Sequence, residues 1–427
     1  MKTGIEEGRS GRGRNSPVAW RMLGWLLLVQ TIVAFVGRSL APLSPLLEKD
    51  LHLSKAQVGM LMSSLFLGQS LISLPSGYWV DRLGSRFLLL GLTLCLGIGF
   101  ATAALLNSFG WVLVFIIIGG LGYGAMHTTS NRSIIYWFPL ESRGIAMGLK
   151  QMGVTIGSSL AALLLLPIAL QYGWRITLIF SCFILIIVGL ITYWGYRDPF
   201  SNDTCVPMEF RSFLTLLWEV ARNRQLLAVS LAALGLSSAQ MCLTTYVVFF
   251  AHEQLGYSIY LASLLLFVSE IGGSIGRVLW GMISDGLFGG KRLIVLILIA
   301  LVTSVCSIIT SLLPAAAPFE IVLPLIAVFG FSIAGFNGIW MNAATEAVPK
   351  RWSGLASGFS ICIGSWGVII GPPIFGWIVD WSHNYTTAWL FLSLIMMGVI
   401  GLLLWGGFKS DCSSSNKNHL SISNRHV

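Results

Sequence analysis

Six ionisable side chains fall inside long apolar runs of a chain otherwise poor in charge: Arg38, Arg132, Lys150, Glu270, Arg277 and Glu346. A charge at bilayer depth costs from about 3 to more than 10 kcal/mol, so each must face a partner or a polar cavity. The chemistry open to such a set is ion pairing, recognition of an anion by guanidinium or ammonium groups, and uptake and release of a proton by a carboxyl. Covalent catalysis has no support. GGSIG, Gly272 to Gly276, has the spacing of a nucleophile elbow but lies inside an apolar run with no strand before it, so close helix packing is preferred. HEQLG at His252 lacks the second histidine of a zinc protease site. GGKR, Gly289 to Arg292, has no Ser or Thr after its lysine and is no phosphate-binding loop. The expectation is a non-enzyme with no cofactor and no metal.

The runs that carry these charges define the architecture. The 427 residues are 55% hydrophobic and only 10% charged, whereas soluble domains average roughly 25% charged residues. Twelve segments are long enough to cross a bilayer: 21–44, 57–80, 87–107, 111–137, 145–170, 175–196, 226–250, 259–283, 293–313, 320–345, 355–379 and 387–408. They are rich in Gly, Leu and Ile without strict alternation, which favours helices over barrel strands. The fold class expected is an all-α membrane protein with twelve transmembrane helices.

A net charge of +9 suggests nucleic acid until its placement is considered. With a cytoplasmic N-terminus, the inner segments hold nearly all the Lys and Arg, while the outer side keeps Lys49, Lys55 and Arg175. That positive-inside bias puts both termini in the cytoplasm. The first apolar run is too long for a secretory leader and is kept as a mature helix. Of the seven cysteines, five sit inside expected helices and none forms a metal-type pair, so they read as small apolar side chains.

A polar stretch, 197–225, divides the chain into 21–196 and 226–408, flanked by a cytoplasmic N-terminal segment 1–20 and a polar tail 409–427. The halves repeat one another. Gly77 and Asp81 recur as Gly281 and Asp285, Arg86 corresponds to Arg292 if two residues are inserted, and Pro139, Gly144, Ala146, Gly148 and Gly157 recur as Pro349, Gly354, Ala356, Gly358 and Gly367. Such a repeat implies two helical bundles about an axis along the membrane normal.

The stretch GYWVDRLGSR, Gly77 to Arg86, matches the G-x-x-x-D-R-x-G-x-R signature between the second and third helices of major facilitator superfamily transporters, and a weaker copy follows the eighth helix. The resemblance covers about 20–408. It implies two six-helix bundles around a central cavity that opens alternately to each face. It also implies that Gly77, Asp81, Arg82, Arg86, Asp285 and Arg292 act at a cytoplasmic gate, with Asp81 helped by the positive end of a helix dipole. The simpler alternative, topology charges alone, accounts for the arginines but not for Asp81 or the glycines.

The buried charges then divide. Arg38, toward the outer part of helix 1, is read as a substrate contact, with snorkelling or a structural pair as the alternative. Arg277 in SEIGGSIGRVLWGMISD has two readings. One is a gate residue with Asp285. The other follows from R-x-x-x-G-x-x-x-D, which resembles helix 8 of monocarboxylate and oxalate-type porters, where the arginine binds the substrate carboxylate. Those porters often carry an acid four residues earlier; here that residue is Gly273. Glu270, on nearly the same helical face, is the proton-coupling candidate or a permanent partner of Arg277. Arg132, Glu346 and Lys150 are read as interface or gate residues near cytoplasmic helix ends. His127 and Asn131 share a face of helix 4, and Asn131 with Trp340 completes the expected substrate-binding set; inter-helix bonding and aromatic packing are the alternatives.

The sequence therefore points to a secondary active transporter of a small solute, an organic anion such as a carboxylate in proton symport, moved by alternating access. Its partners would be that solute, protons and the lipid bilayer of the cell membrane, without nucleic acid, and the chain would act as a monomer. The alternative is proton-coupled efflux of hydrophobic compounds. It is weakened because Ile116 stands where such antiporters carry an arginine, and helix 5 lacks their Gly-Pro pair.

Overall fold

A computed structural model describes residues 17–198, 222–349 and 352–407. The described residues are almost entirely helical, in thirteen α-helices and one π turn. In order these are α1 (Pro17–Gly37), α2 (Leu40–Leu51), α3 (Lys55–Leu105), α4 (Phe109–Trp137), α5 (Leu140–Tyr172), α6 (Trp174–Gly195), α7 (Arg224–Phe249), the π turn (Phe250–Gln254), α8 (Ile259–Gly286), α9 (Arg292–Ser311), α10 (Phe319–Ile333), α11 (Phe336–Glu346), α12 (Ser353–Ser382) and α13 (Tyr385–Gly407). Eleven spans among the described residues are long and apolar enough to cross a membrane. The second expected span lies in the first arm of α3. The chain is thus an all-α, multi-pass membrane protein. It separates into two compact units, Met1–Thr204 with Tyr257–Phe267 and Cys205–Gly256 with Val268–Val427.

Three helix boundaries differ from the expected spans, each for a local reason. The first span is not one helix over 21–44: it runs Pro17–Leu51 and breaks at Arg38 and Ser39. Pro42 and Pro45 lack N–H groups, so the carbonyls four residues before them, on Arg38 and Ala41, lose their helical donors. Ser39 Oγ donates to Val36 O and Ser44 Oγ to Ala41 O, each at 2.6 Å, which supplies side-chain bonds around the break. The second and third spans are joined in α3, whose one non-helical residue is Gly84 at φ 80° and ψ 161°. The expected helix over 320–345 is also two pieces, α10 and α11, parted at Ala334 and Gly335.

Within the first unit, α5 packs on α1 through Gly153 and Gly157. A side chain at Gly157 would run into the Thr31 carbonyl and Ala34 Cβ, so only glycine allows this approach. At one end, Asp50 accepts from Arg175 Nη2 at 2.7 Å and Trp174 Nε1 at 3.1 Å, while Arg175 Nη1 donates to Ala104 O at 2.8 Å. That cluster ties together the ends of α2, α3 and α6. Arg143 closes the other end of α4 by donating to Phe138 O and Ile135 O, both at 2.9 Å.

In the second unit, α7 begins at an Asn223 cap, with Oδ1 accepting from Leu226 N at 3.0 Å. Its core is aromatic. Trp389 is fully buried and meets Phe375 at 4.9 Å, Phe250 at 5.7 Å and Phe329 at 5.9 Å between ring centroids, and Tyr246 stacks on Phe375 at 4.7 Å. The packing leaves polar side chains concentrated at the α10–α11 break.

Candidate functional site

In the first unit the break between α1 and α2 sets Arg38 within the candidate span Pro17–Leu51. Its guanidinium lies over the Phe66 ring of α3, 5.3 Å from the centroid. Phe66 meets Tyr123 of α4 edge-on at 6.2 Å, and Tyr123 meets His127 at 6.3 Å. Gly37, next to Arg38, sits directly against the Tyr123 ring. A line of one cation and three rings therefore runs from α1 across α3 to α4. Phe66 and Tyr123 were not legible from sequence as site residues, because single aromatics in apolar runs carry no distinguishing spacing.

Two turns further along α4, Asn131 is exposed, and its Oδ1 accepts from Lys150 Nζ of α5 at 2.7 Å. Arg132 turns to its own helix, donating to Tyr136 Oη at 2.6 Å.

In the second unit the α10–α11 break frees main-chain groups at bilayer depth, and polar side chains gather on them. The Ala334 carbonyl accepts from Arg277 Nε of α8 at 3.3 Å and from Asn337 Nδ2 at 3.2 Å; Asn337 Nδ2 also reaches Gln240 Oε1 of α7 at 3.4 Å. Trp280 Nε1 donates to Phe331 O at 3.2 Å. Gly276 makes this possible, because any side chain there would strike the Phe331 carbonyl. Glu270 lies seven residues before Arg277 on α8, half-buried, with its carbonyl accepting from Ser274 Oγ at 2.8 Å. Gln240 and Asn337 were missed by sequence reading, since lone amides in an apolar helix are more often inter-helix ties.

Trp340 is placed as a packed aromatic. It is 8% exposed, stacks on Phe336 at 5.7 Å and donates Nε1–H to Ser360 Oγ at 2.7 Å.

Three of the motif residues, Arg86, Asp285 and Arg292, have partners within their own units. Asp198, just after α6, accepts from the backbone N–H of Arg86 at 3.1 Å and sits where a Gly84 side chain would go. Burial pushes the Asp198 carboxyl up from its ordinary range; the Arg86 and Ser85 N–H groups and the Arg86 charge pull it back only in part. Arg86 also lies over the Tyr193 ring at 4.2 Å and donates Nε–H to the Tyr193 carbonyl. Arg82 is exposed. The side chains of Gly77 and Asp81 lie outside the described residues. In the second unit Arg292 pairs with Asp285, donates to Ser284 Oγ at 2.7 Å and lies 3.4 Å from Glu346 Oε1.

Comparison with known proteins agrees with this architecture. The family model described as Major Facilitator Superfamily matches residues 26–372. The chain belongs to the major facilitator superfamily. As a superfamily member it is a transporter, not an enzyme. Among its relatives, an uncharacterised MFS-type transporter of Mycobacterium tuberculosis is 26% identical over 84% of this chain and 79% of its own length. A D-galactonate transporter of Escherichia coli is 24% identical over 90% of this chain and 94% of its own. A fosmidomycin resistance protein of Escherichia coli is 24% identical over 90% and 92%. Among solved structures, a bacterial homologue of the human lysosomal transporter Spinster, inward-facing and occupied, superposes with a TM-score of 0.75 at 18% identity, over 92% of this chain and 97% of that one. That likeness concerns the fold.

Proposed function

We propose that this superfamily member is a secondary active transporter of a small organic anion, a carboxylate of the sugar-acid class, moved in symport with protons by alternating access. It works in the cell membrane as a monomer with both termini in the cytoplasm. One observation carries the reading. Among the described residues the spans hold Arg38 and Arg277 well inside, with Arg132 and Lys150 about one and a half turns from a span end, against the single interior carboxyl of Glu270. Such an excess of positive charge in a low-dielectric interior attracts anions and repels cations.

Arg38 in the first unit and Arg277 in the second are the two candidates for recognising a carboxylate, each presenting guanidinium N–H groups in a planar fork. Asn131 would be a solute contact of the first unit, Gln240 and Asn337 would meet hydroxyls from the second, and Trp340 would back the α11 residues. Glu270 would carry the coupling proton. Gly77, Asp81, Arg82, Arg86, Asp285 and Arg292 would govern the cytoplasmic gate. The D-galactonate relative supports the class of solute. The test is uptake of radiolabelled D-galactonate into proteoliposomes under an imposed pH gradient. Accumulation that collapses when the gradient is discharged supports symport; no uptake of any sugar acid, with protein folded and correctly inserted, overturns the reading.

A second reading is proton-coupled efflux of a hydrophobic compound; the fosmidomycin resistance relative supports outward movement only, not the hydrophobic character of the cargo. Everted vesicles that expel hydrophobic drugs while ignoring sugar acids would select it.

A further inference from the structure

Two lysines are buried among the described residues, and they are treated differently. Lys55, 9% exposed, has the Glu48 carboxylate at 2.7 Å. Lys150, 1% exposed, has no carboxylate partner among the described residues; its ammonium is held by the amide oxygen of Asn131, 2.7 Å away. A buried ammonium without a counter-charge is a strained arrangement that proteins keep where it has a use.

Position adds to the argument. Lys150 precedes Gly153 and Gly157 by three and seven residues, so it lies on the face of α5 that packs on α1. Beside that contact, Gln30 of α1 is completely buried, and neither end of its amide has a hydrogen-bond partner among the described residues. Asn131 is exposed. It lies thirteen residues after Ile118, about 140° around the helix from the apolar exposed face of Trp111, Val114 and Ile118. Its exposure is therefore on a different side of α4 from that stripe, one turn before Ile135. An ammonium can only donate, so Asn131 must give it the carbonyl end. The two N–H donors of the amide are then left for another acceptor, next to a buried positive charge.

We infer that Lys150 orients and polarises Asn131, making its exposed amide a second anion subsite, about two helical turns along α4 from the Arg38 level, for carboxylate or phosphate oxygens. Asn131 is the contacting group, and Lys150 is a positioning residue. The inference deepens the anion reading above and rests on it.

The full-length protein tests it in two ways. The first is the thermal shift of purified protein by D-galactonate and by inorganic phosphate. The second is the KM for D-galactonate uptake in proteoliposomes. Lys150→Met should raise KM at least tenfold and weaken the thermal shift, with a Tm in the absence of anion equal to or above wild type. Lys150→Arg should recover most of the affinity. Asn131→Asp, which neutralises the ammonium and removes both donors, should lose the anion shift while remaining folded. A lower Tm for Lys150→Met with KM within twofold of wild type would make Lys150 a structural tie and overturn the inference. So would an Asn131→Asp protein that still binds anions like wild type. If wild type transports no sugar acid, the reading of the solute fails. The phosphate shift then decides the subsite alone: an equal shift, or none, in wild type and Lys150→Met ends it.

Discussion

The Arg277 guanidinium donates through Nε to the main-chain carbonyl of Ala334, 3.3 Å away, where α10 stops and α11 begins. One residue thus links α8 to the discontinuity of its neighbour. Replacing Arg277 with Lys keeps a charge but removes the planar set of donors. The expected result is a KM for D-galactonate raised at least tenfold, with Tm lowered by only a few degrees. Unchanged KM with a large loss of Tm would confine Arg277 to holding the break.

Glu270→Gln removes the proposed proton carrier while conserving shape. Such a protein should still exchange labelled for unlabelled solute across a vesicle membrane but fail to concentrate it when a pH gradient is imposed. Full concentrative uptake by this variant removes Glu270 from the coupling.

Gly84→Ala meets two obstacles, a positive φ and the carboxyl of Asp198. Positive φ with ψ near 160° is essentially confined to glycine, and such backbone costs about 1–3 kcal/mol for a residue with a Cβ. A clear fall in Tm is expected in detergent or nanodiscs, and an unchanged melting curve would contradict the geometry.

Asp198 offers a pH test with a defined sign. Its carboxyl is raised in the folded protein, so across the interval above 3.8 the folded state binds the proton more tightly than the unfolded chain. Stability from this group therefore falls as pH rises through that interval. Asp198→Asn should lack that slope and match or exceed wild type at neutral pH, because it keeps one acceptor oxygen without the buried charge. Asp198→Ala removes the acceptor for the Arg86 N–H and should cost about 1 kcal/mol. Melting temperatures of the three proteins across pH 4 to 7, on a ~1 unit grid, check this.

Trp340→Phe retains the stack on Phe336 and loses only the bond to Ser360. A loss of about 1 kcal/mol is expected, with KM within twofold of wild type. A KM shift beyond fivefold at unchanged Tm would make Trp340 a direct solute contact.

The spans were legible because membrane-length apolar runs separated by polar turns leave little choice of structure. Their interruptions were less so. The apolar pattern continues across GRSLAPLSP, and only the spacing of Pro42 and Pro45 hints that carbonyls there lack donors. At FSIAGFN no proline marks the break; tertiary contacts from Gly276, Arg277 and Asn337 support it, and these are invisible in one dimension. Lys150 was read as a residue near a helix end because its apolar run begins at 145. Its 1% exposure comes from the packing of α5 on its neighbours, including the bond to Asn131 of α4, which one dimension does not show. Asp198 drew no notice because its partners, Gly84 and Arg86, are distant in sequence.

The seat of Asp198 over Gly84 also limits how related chains can diverge. A side chain gained at 84 must evict the carboxyl, and a bulkier residue gained at 198 must find room against a backbone with no side chain to yield. Substitutions at these two positions, more than a hundred residues apart, should appear together or not at all when descendants of this sequence are aligned.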